Sequence, residues 1–497
     1  MKKIFLLITA LSIFSSCSDE DFDINRDPDN LSPESVSLKT ELPAGIVGVA
    51  GAQGSYYALV GGFWSQYWTQ SNSANQYKEV DDYSIGTDDY TGGWTAMYDA
   101  LGDIRNVKRL AANQENWNYY LIATTMEVYA SQIMADMYDQ IPYTEANNVN
   151  ILTPHFNTGQ EVYDLLASDL QDALSKDLST SSGDAPGTDD LIFGGNMSNW
   201  TAFANTLLLK VYMRQTEARP AIAQAGITAL LNSGVTFLNT DAALGGFENA
   251  PSKSNPLYES DRRQLNVATN LRASTTLFSF FTENNDPRKA EYYNPGNPLN
   301  QGDFNSTVGS SSVSVVYLEP TTAVFFMSKE ESLLLQAEAL ERYASGIGAK
   351  AKYDAAVVSN FSRYRADDGN TETTSNQNDG PALDGAPFVA AGGVYEYPAA
   401  GTFADKLKAI ITQKWISGFP GNGFEMFFEH NRTGYPSVSP VPQSNSAYVP
   451  GTFAYSVNGT TGGQFPKRMV FPSTVTTRNP NAPSLVGVIQ PVWWDVN

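Results

Sequence analysis

The sequence predicts a mainly α protein, a superhelix of tetratricopeptide-like helix pairs joined by long irregular loops. In several segments, apolar residues recur at three- and four-residue steps, which is the period of an amphipathic helix. One pair of these segments spans residues 328–365, close to the length of a tetratricopeptide unit of about 34 residues. The stretches between periodic segments are rich in Gly, Asn, Ser and Pro, which favour turns and loops.

Three periodic segments come first along the chain, at about residues 115–138, 161–174 and 199–212. Each has an apolar stripe that would pack against a neighbouring element. Leu121 and Val128 lie off the stripe of the first segment. We therefore expect that helix to be covered on more than one side.

Residues 328–365 predict a helix pair. Ser328 followed by Glu331 is typical of a capping box, and we expect a helix from there to about Tyr343. Gly346-Ile347-Gly348 ends it, and a second apolar stripe follows. A last helix is predicted from about Phe403 to Trp415.

Five long polar stretches separate these helices: 178–197, 241–260, 293–315, 366–402 and 433–465. Loops longer than about 15 residues are uncommon in compact domains and often carry function. No Pro- or Ser-rich linker divides the chain, so we predict one domain over residues 31–497.

Composition excludes several classes of function. The 497 residues include 53 acidic and 31 basic ones, a formal net charge of −22, which is incompatible with neutralising nucleic-acid phosphates. A single Cys and two His leave no intramolecular disulfide and no Cys-cluster metal site. We expect no cofactor and no metal.

The catalytic signals are few. The sequence has no G-x-S-x-G elbow, Walker loop or Rossmann fingerprint. His155 and His430 stand alone, and lone histidines are more often structural than catalytic. A carboxylate pair for glycoside hydrolysis stays open, because 53 acidic residues offer many pairs.

The N-terminus has the anatomy of a secretory signal peptide over residues 1–16. Two lysines are followed by an apolar run, Ile4 to Phe14, too short for the about 20 residues that span a bilayer. Ser15 and Ser16 before Cys17 resemble the lipobox of bacterial lipoproteins, which implies that Cys17 becomes the lipidated N-terminus. Residues 17–30 would form an acidic tether. The alternative is an ordinary secreted protein.

A series of motifs then runs in order along nearly the whole chain. They are Asn25-Arg26-Asp27-Pro28-Asp29, the segment Asp136–Ala146, Ile192-Phe193-Gly194-Gly195 with Trp200, Phe203 and Asn205, Asp286-Pro287-Arg288, Ala337-Glu338-Ala339, Gln413–Gly423, Arg432–Pro436 and Trp493-Trp494-Asp495. Together they resemble the SusD/RagB-like nutrient-binding lipoproteins of the Bacteroidetes outer membrane. The acidic residues directly behind Cys17 are similar to the surface-export signal of such lipoproteins.

The resemblance implies a mainly α fold and a non-enzymatic lipoprotein displayed on the outer membrane. It implies a partner, a SusC-like TonB-dependent transporter, to which the protein delivers a nutrient. An oligosaccharide or polysaccharide is the first hypothesis, a peptide, as in RagB-like members, the second, and a surface glycoside hydrolase the third.

Most of the motif residues are expected to hold the fold. Trp415 lies on an apolar helix face and is assigned to the core. Arg432 and Asp286 are equally suited to buried ion pairs and to ligand contact.

The ligand site is predicted between residues 64 and 94. Sugars present apolar C–H faces and hydroxyls, so their sites combine flat aromatic rings with polar hydrogen-bonding groups. Trp64 and Trp94 are assigned to the core. The candidates in the polar connection are Trp68, Tyr77, Tyr83 and Tyr90. Burial in the core is the competing interpretation for each, and the alternative sites are the loops 293–315 and 366–402.

Overall fold

The structure is a computed structural model that describes residues 37–265, 269–364 and 381–497. The predicted signal peptide (1–16), Cys17 and the acidic tether (17–30) lie outside the described residues. So do residues 366–380 of the predicted loop 366–402.

Helices dominate the architecture, which confirms the prediction of a mainly α fold. The N-terminal half contains α1 (Leu38–Ala52), α2 (Ala58–Trp64), α3 (Lys78–Asp81), α4 (Gly92–Asn113), α5 (Trp117–Tyr138), α6 (Gly159–Ser175), α7 (Met197–Met213) and α8 (Pro220–Ser233). The C-terminal half contains α9 (Pro256–Tyr258), α10 (Thr275–Glu283), α11 (Lys289–Tyr292), α12 (Lys329–Tyr343), α13 (Ala349–Ser362), α14 (Ala386–Val389), α15 (Phe403–Ser417), α16 (Gly423–Thr433) and α17 (Ser473–Arg478). π-Helical turns at Gln53–Tyr57 and Glu259–Arg263 and 3-10 turns at Leu178–Thr180 and Ser310–Ser312 complete the helical elements.

The three periodic segments predicted first are present as α5, α6 and α7. Their ends lie within two residues of those predicted, because caps fix them: Asn116 accepts from the N–H of Tyr119, and Thr158 forms a full capping box with Glu161. Residues 121–138 of α5 are all buried. Leu121 and Val128 are covered as expected, since α4, α6 and α7 surround this helix.

The predicted helix pair is α12 and α13. The Ser328 hydroxyl accepts from the N–H of Glu331 at 3.1 Å. Gly348 ends the connection with φ +85°, a conformation that favours glycine. Helices α12, α13 and α15 enclose a second, smaller apolar cluster that includes Leu333, Phe361 and Ile410.

Among the described residues, six helices of seven or more residues were not predicted as periodic segments: α1, α2, α4, α8, α10 and α16. Helix α1 carries Pro43 and two glycines that contact α4. A Cβ atom on Gly48 would lie 2.8 Å from the Cβ atom of Ala100, closer than real contacts allow. Glycine therefore lets the two helix backbones approach, and the apolar stripe that would have revealed α1 is weakened.

The strands are short and form two antiparallel pairs. β1 (Trp68–Gln70) pairs with β3 (Leu271–Ala273), with Thr69 opposite Arg272. β2 (Ala242–Leu244) pairs with β4 (Val324–Met327). Both pairs join segments that are distant in the chain, and β2 ends at Leu244, which lines a cavity.

A network of buried charges connects the helices. Arg214, at the end of α7, donates to Glu425 and Glu429 of α16 at 2.6 Å each, and to Asp136 of α5 at 3.2 Å. All four side chains are buried. Paired and hydrogen-bonded in this way, each charge is compensated away from water.

Arg432 extends the same network to α12. Its guanidinium donates to both oxygens of Glu338 at 2.7 Å and contacts Glu429. Burial opposes ionisation of Glu429, but the neighbouring Arg432, Lys414 and Arg214 outweigh it and hold the pKa of Glu429 well below its usual range. Of the two roles open to Arg432, the structure shows the buried ion pair.

Asp286 likewise forms a buried ion pair, with Arg288 at 2.6 Å, and accepts from the Tyr395 hydroxyl. Trp415 is 1% exposed and donates its indole N–H to the Ser65 carbonyl, as expected of a core residue. Trp494 donates to Asp136 at 2.7 Å. These motif residues therefore hold helices together.

Candidate ligand-binding site

Trp68 lies in the core. It is fully buried in β1, with its ring against Gly62 and its edge-to-face neighbours Phe63 and Phe419. The contact from Phe419 comes from a segment about 350 residues later in the chain, which the local sequence could not reveal. Trp68 presents no ring face to a ligand in this structure.

Tyr83 is also buried, at 4% exposure. Its ring packs against Tyr455 and Phe465 from the long connection 433–465. Its φ of +67° is strained for a residue with a side chain. Packing against the rings of Tyr455 and Phe465 holds Tyr83 in this conformation. Trp68 and Tyr83 are therefore both closed to a ligand in this structure.

Tyr77 forms part of the wall of a cavity. Its backbone N–H donates to Gln70 Oε1 at 2.7 Å, and its hydroxyl donates to Asp261 Oδ1 at 3.0 Å. Burial, and then the charge of Asp261, raise the pKa of Tyr77, so the phenol remains a donor. The two hydrogen bonds fix the ring at the edge of the cavity.

Tyr90 lines the same cavity. Its φ is +53°, and its hydroxyl has no hydrogen-bond partner within the described part of the chain. Burial raises the pKa of Tyr90, so this open phenol is a neutral donor and acceptor. The structure thus brings Tyr77 and Tyr90 together and leaves Trp68 and Tyr83 in the core.

The cavity has a volume of about 540 Å³, within the size range of small-molecule sites. Three segments form it: the end of α1 with the following π-turn, the polar connection 76–90, and residues 244–265. Its lining residues are Val47, Ala50, Gly51, Ser55, Tyr56, Leu59, Gln76, Tyr77, Tyr90, Leu244, Phe247, Ser252, Ser254, Pro256, Glu259, Ser260, Gln264 and Leu265.

Tyr56 and Phe247 supply further rings that the sequence analysis did not select. The Tyr56 ring lies against Gly92, where an added Cβ atom would come within 2.3 Å of the Tyr56 oxygen. Gly92 therefore leaves space for this ring. Phe247 belongs to the predicted loop 241–260, so its position in a long polar stretch was the only available signal.

Glu259 is the one charged side chain among the described residues that line the cavity. It lies 3.4 Å from Arg263, and its other oxygen accepts from the backbone N–H of Ser252 at 3.1 Å. Arg263 in turn donates to the Ser254 hydroxyl at 2.7 Å. The charge is thus compensated within the wall, and the rest of the lining is aromatic, aliphatic, amide and hydroxyl.

A second concavity of about 600 Å³ lies elsewhere, between α4, the connection after α5, and α17. Trp94 and Tyr98 line it, and Leu152 stands 90% exposed at its rim. Its walls are mainly apolar. None of the four candidate aromatics lines it.

The two histidines do not form a catalytic arrangement. His155 is exposed, with Nδ1 3.0 Å from Glu145. His430 is buried with Nδ1 2.8 Å from the Pro436 carbonyl, and burial lowers the pKa of His430 to about 4. In the described part of the chain, no three metal-ligating side chains converge.

No helix among residues 37–265, 269–364 and 381–497 combines the length and apolar character needed to cross a bilayer.

Comparison with known proteins identifies the family. A family model described as SusD-like, "Starch-binding associating with outer membrane", matches residues 46–456, which is most of the chain. The chain belongs to the SusD-like family. Proteins of this family associate with the outer membrane and bind carbohydrate without catalysis, so the chain is not an enzyme and the hydrolase hypothesis was wrong.

Solved structures show the same fold. A SusD homologue from Bacteroides uniformis is 22% identical, with 92% of this chain and 99% of that chain covered at a TM-score of 0.70. A chitin-binding SusD homologue from Flavobacterium johnsoniae is 21% identical, with 92% and 99% covered and a TM-score of 0.69. A SusD/RagB family protein from Bacteroides thetaiotaomicron is 19% identical, with 93% and 99% covered and a TM-score of 0.73. None of the curated protein sequences compared with the chain matches it.

Proposed function

We propose that this SusD-like protein binds an oligosaccharide in the cavity lined by Tyr56, Tyr77 and Tyr90. The observation that carries the proposal is the lining itself. Ring faces and aliphatic side chains can cover the C–H faces of a sugar, while hydroxyl and amide groups meet its hydroxyls. The chitin-binding relative and the family description support a glycan as the ligand class.

The proposed roles follow from the hydrogen bonds. Tyr77 is a fixed wall, because Gln70 and Asp261 hold it from both ends. Tyr56 and Tyr90 are the recognition residues, since neither hydroxyl has a protein partner in the described residues. Gln76 and Gln264 are exposed at the cavity and add amide groups that both donate and accept.

The protein would be held on the outer membrane by lipid on Cys17 and would deliver its ligand to a SusC-like TonB-dependent transporter. This part of the proposal rests on the lipobox-like sequence before Cys17 and on the family. A binding protein outside the membrane serves uptake only if a channel receives what it has bound.

A glycan and peptide binding array is the first experiment, because it separates the oligosaccharide proposal from the peptide hypothesis. Calorimetry with the best glycan then tests the site. Binding of peptides alone would replace the oligosaccharide proposal with the peptide one.

Two substitutions at Tyr90 separate the ring from its hydroxyl. Tyr90→Ala should weaken glycan binding by about 1–3 kcal/mol, the range of aromatic hot spots. Tyr90→Phe keeps the ring and should cost less. Tyr120→Phe is the matched control, because it removes a phenol hydroxyl that donates to Asp172 and does not line the cavity. Unchanged affinity in Tyr90→Ala, with the protein folded, would exclude this cavity as the site.

A further inference from the structure

The second concavity, between α4, the connection after α5 and α17, is separate from the proposed glycan site. It shares no lining residue with the cavity around Tyr77 and Tyr90. Its volume of about 600 Å³ is within the range of small-molecule sites. The structure therefore offers a second place of suitable size for a ligand.

Hydrogen bonds fix the walls of the second concavity. The Tyr98 hydroxyl of α4 donates to the Pro142 carbonyl at 3.1 Å, and the Asn147 amide donates to the Tyr98 carbonyl at 2.9 Å. On the opposite side, the Asn479 amide donates to the Pro154 carbonyl at 2.8 Å. The connection after α5 is thus tied both to α4 and to the residue that follows α17, so the concavity is formed before a ligand arrives.

Aromatic and aliphatic side chains make up most of the lining. The rings of Trp94 and Phe156 are nearly parallel, at an angle of 18° and with 6.3 Å between their centroids. Leu152 and Val149 are 90% and 82% exposed, the two highest values for a large apolar side chain among the described residues. Exposed apolar side chains grouped beside a concavity are typical of ligand-binding surfaces, because a ligand removes them from water.

The charge of the second concavity is positive. Arg478, the last residue of α17, is the only charged side chain among the described residues that line it. The Arg478 side chain is exposed and makes no hydrogen bond or ion pair with a described residue. The planar guanidinium matches the two oxygens of a carboxylate, to which it donates two parallel hydrogen bonds. The lining therefore complements a ligand with an apolar body and one carboxylate.

The arrangement favours a small molecule over a partner protein. A protein interface of standard size covers about 800 Å² on each partner. Here the exposed apolar side chains stand on one connection beside a concavity. The next most exposed one in the described chain, Ile347 at 77%, lies in the turn between α12 and α13 and does not line it.

We propose that the second concavity binds a small carboxylate with an apolar body. Arg478 pairs with the carboxylate, and Trp94, Phe156 and Leu152 cover the body. The inference goes beyond the proposed function, because it requires neither a glycan nor the cavity around Tyr77 and Tyr90.

The test uses 3-phenylpropionate, 4-methylpentanoate, acetate and the neutral 3-phenylpropionamide as probes, titrated into the protein by calorimetry at pH 7 and constant ionic strength. The amide keeps the apolar body without the charge, and acetate keeps the charge without the body. The wild-type protein should bind 3-phenylpropionate about three- to tenfold more tightly than its amide, since the pair with Arg478 is exposed and therefore weaker than a buried one. Acetate should bind more weakly than either of the larger acids.

Arg478→Gln should remove the preference for the acid and leave the affinity for the amide unchanged. Arg478→Lys keeps the charge and should retain part of the preference. Arg109→Gln, at an exposed arginine of α4 that does not line the concavity, is the matched control and should keep all of it. A folded Arg478→Gln variant that retains the preference overturns the inference.

Leu152→Ser should weaken the binding of 3-phenylpropionate and its amide by the same factor, about three- to tenfold, because both probes carry the same apolar body. Ile347→Ser, at another exposed apolar residue, is the matched control and should change neither affinity. Unchanged binding in Leu152→Ser overturns the inference. So does a wild-type protein that binds neither of the larger acids, or that binds 3-phenylpropionate and its amide equally.

The same titrations separate this inference from the proposed function. Tyr90→Ala should leave the affinity for 3-phenylpropionate unchanged, and Arg478→Gln should leave the affinity for the best glycan unchanged, because the two sites share no lining residue. If the glycan binds and the acids do not, the proposed function stands and the inference falls. If the acids bind as expected and no glycan from the array does, the inference stands and the proposed function fails.

Discussion

Asp81 shows how a single buried carboxylate anchors the polar connection 76–90, one of the three segments that form the cavity. It is fully buried and accepts from the Thr69 hydroxyl at 2.6 Å, from the Gln70 N–H at 2.7 Å and from the Gln301 amide at 2.5 Å. These bonds connect β1 to the connection that follows α11. No cation pairs with Asp81 among the described residues, so burial dominates and raises the pKa of Asp81 to about 6.

The raised pKa predicts a pH dependence of stability. The native state holds the proton more tightly than the unfolded chain, whose Asp pKa is about 3.9. The contribution of Asp81 to the free energy of unfolding is therefore largest at low pH. It falls as the pH rises from about 4 to about 6, by an amount on the order of 1–3 kcal/mol.

Asp81→Asn should remove this part of the pH dependence. We expect the free energy of unfolding, measured with urea between pH 4 and 7, to change in favour of the variant as the pH rises. The wild type loses the contribution of Asp81 over this range, whereas the variant has none to lose. Asp136, whose pKa burial also raises to about 6, remains in both proteins and cancels in the comparison. Asp82→Asn, at a partly exposed carboxylate, is the control, and a constant difference across this pH range would contradict the prediction.

Tyr90 shows how a single residue can combine backbone strain with an open polar group. Its left-handed backbone and its unpartnered hydroxyl coincide at the cavity wall. Such strain costs on the order of 1–3 kcal/mol and persists only where the surrounding structure fixes the conformation. A strained residue with an open polar group is a reasonable place for recognition, and this supports its proposed role.

At the scale of elements, the contact between α1 and α4 depends on glycine. Gly48→Ala should lower the free energy of unfolding by about 1–3 kcal/mol, because the added methyl group would collide with Ala100 Cβ and the helices would have to separate. Thermal or urea unfolding measures the change.

Gly51→Ala in the same helix is the matched control. No atom lies within 4 Å of an added Cβ atom there, and alanine should stabilise the helix by up to about 1 kcal/mol. Equal effects at the two positions would show that helix propensity, and not close packing, decides the result.

The buried ion pairs join α5, the end of α7 and α16. Arg214→Met should destabilise the protein by about 3–5 kcal/mol, because Asp136, Glu425 and Glu429 would lose their shared cation while remaining buried. Arg219→Met removes an arginine five positions later that pairs with the largely exposed Asp164. It should cost about 1 kcal/mol or less.

Chemical denaturation of the two variants gives the comparison. If Arg214→Met lowers the free energy of unfolding no more than Arg219→Met does, the buried network contributes little more to stability than a surface ion pair.

At the scale of the whole molecule, the predicted attachment to the membrane is separate from the folded body. Cys17→Ala should move the protein from the membrane fraction to the soluble fraction, because the acyl chains supply the attachment. Fractionation with palmitate labelling measures this, and Cys17→Ser is a second variant of the same kind. A wild-type protein that is soluble and unlabelled would contradict lipidation.

The transporter is tested on the membrane form of the protein. A SusC-like barrel should co-purify with it in mild detergent, and Tyr90→Ala should leave that complex intact, since this substitution is aimed at the glycan alone. Recovery of the binding protein alone from cells that contain the transporter would count against delivery as its function.

The sequence by itself determined α5, α6, α7, α12, α13 and α15, the family, and a polar region that contributes Tyr77 and Tyr90 to the cavity. These depend on local periodicity and on ordered motifs, which are written along the chain. It did not reveal α1, because the glycines that contact α4 weaken its apolar stripe.

Only the tertiary structure decided which aromatic residues are open to a ligand. Trp68 and Tyr83 share the polar surroundings of Tyr77 and Tyr90 in the sequence, but Phe419, Tyr455 and Phe465 arrive from distant segments and bury them. The cavity wall arises in the same way, from three segments that are distant in the chain. Whether a side chain is covered or paired depends on what packs against it from elsewhere in the fold, and no local pattern encodes that.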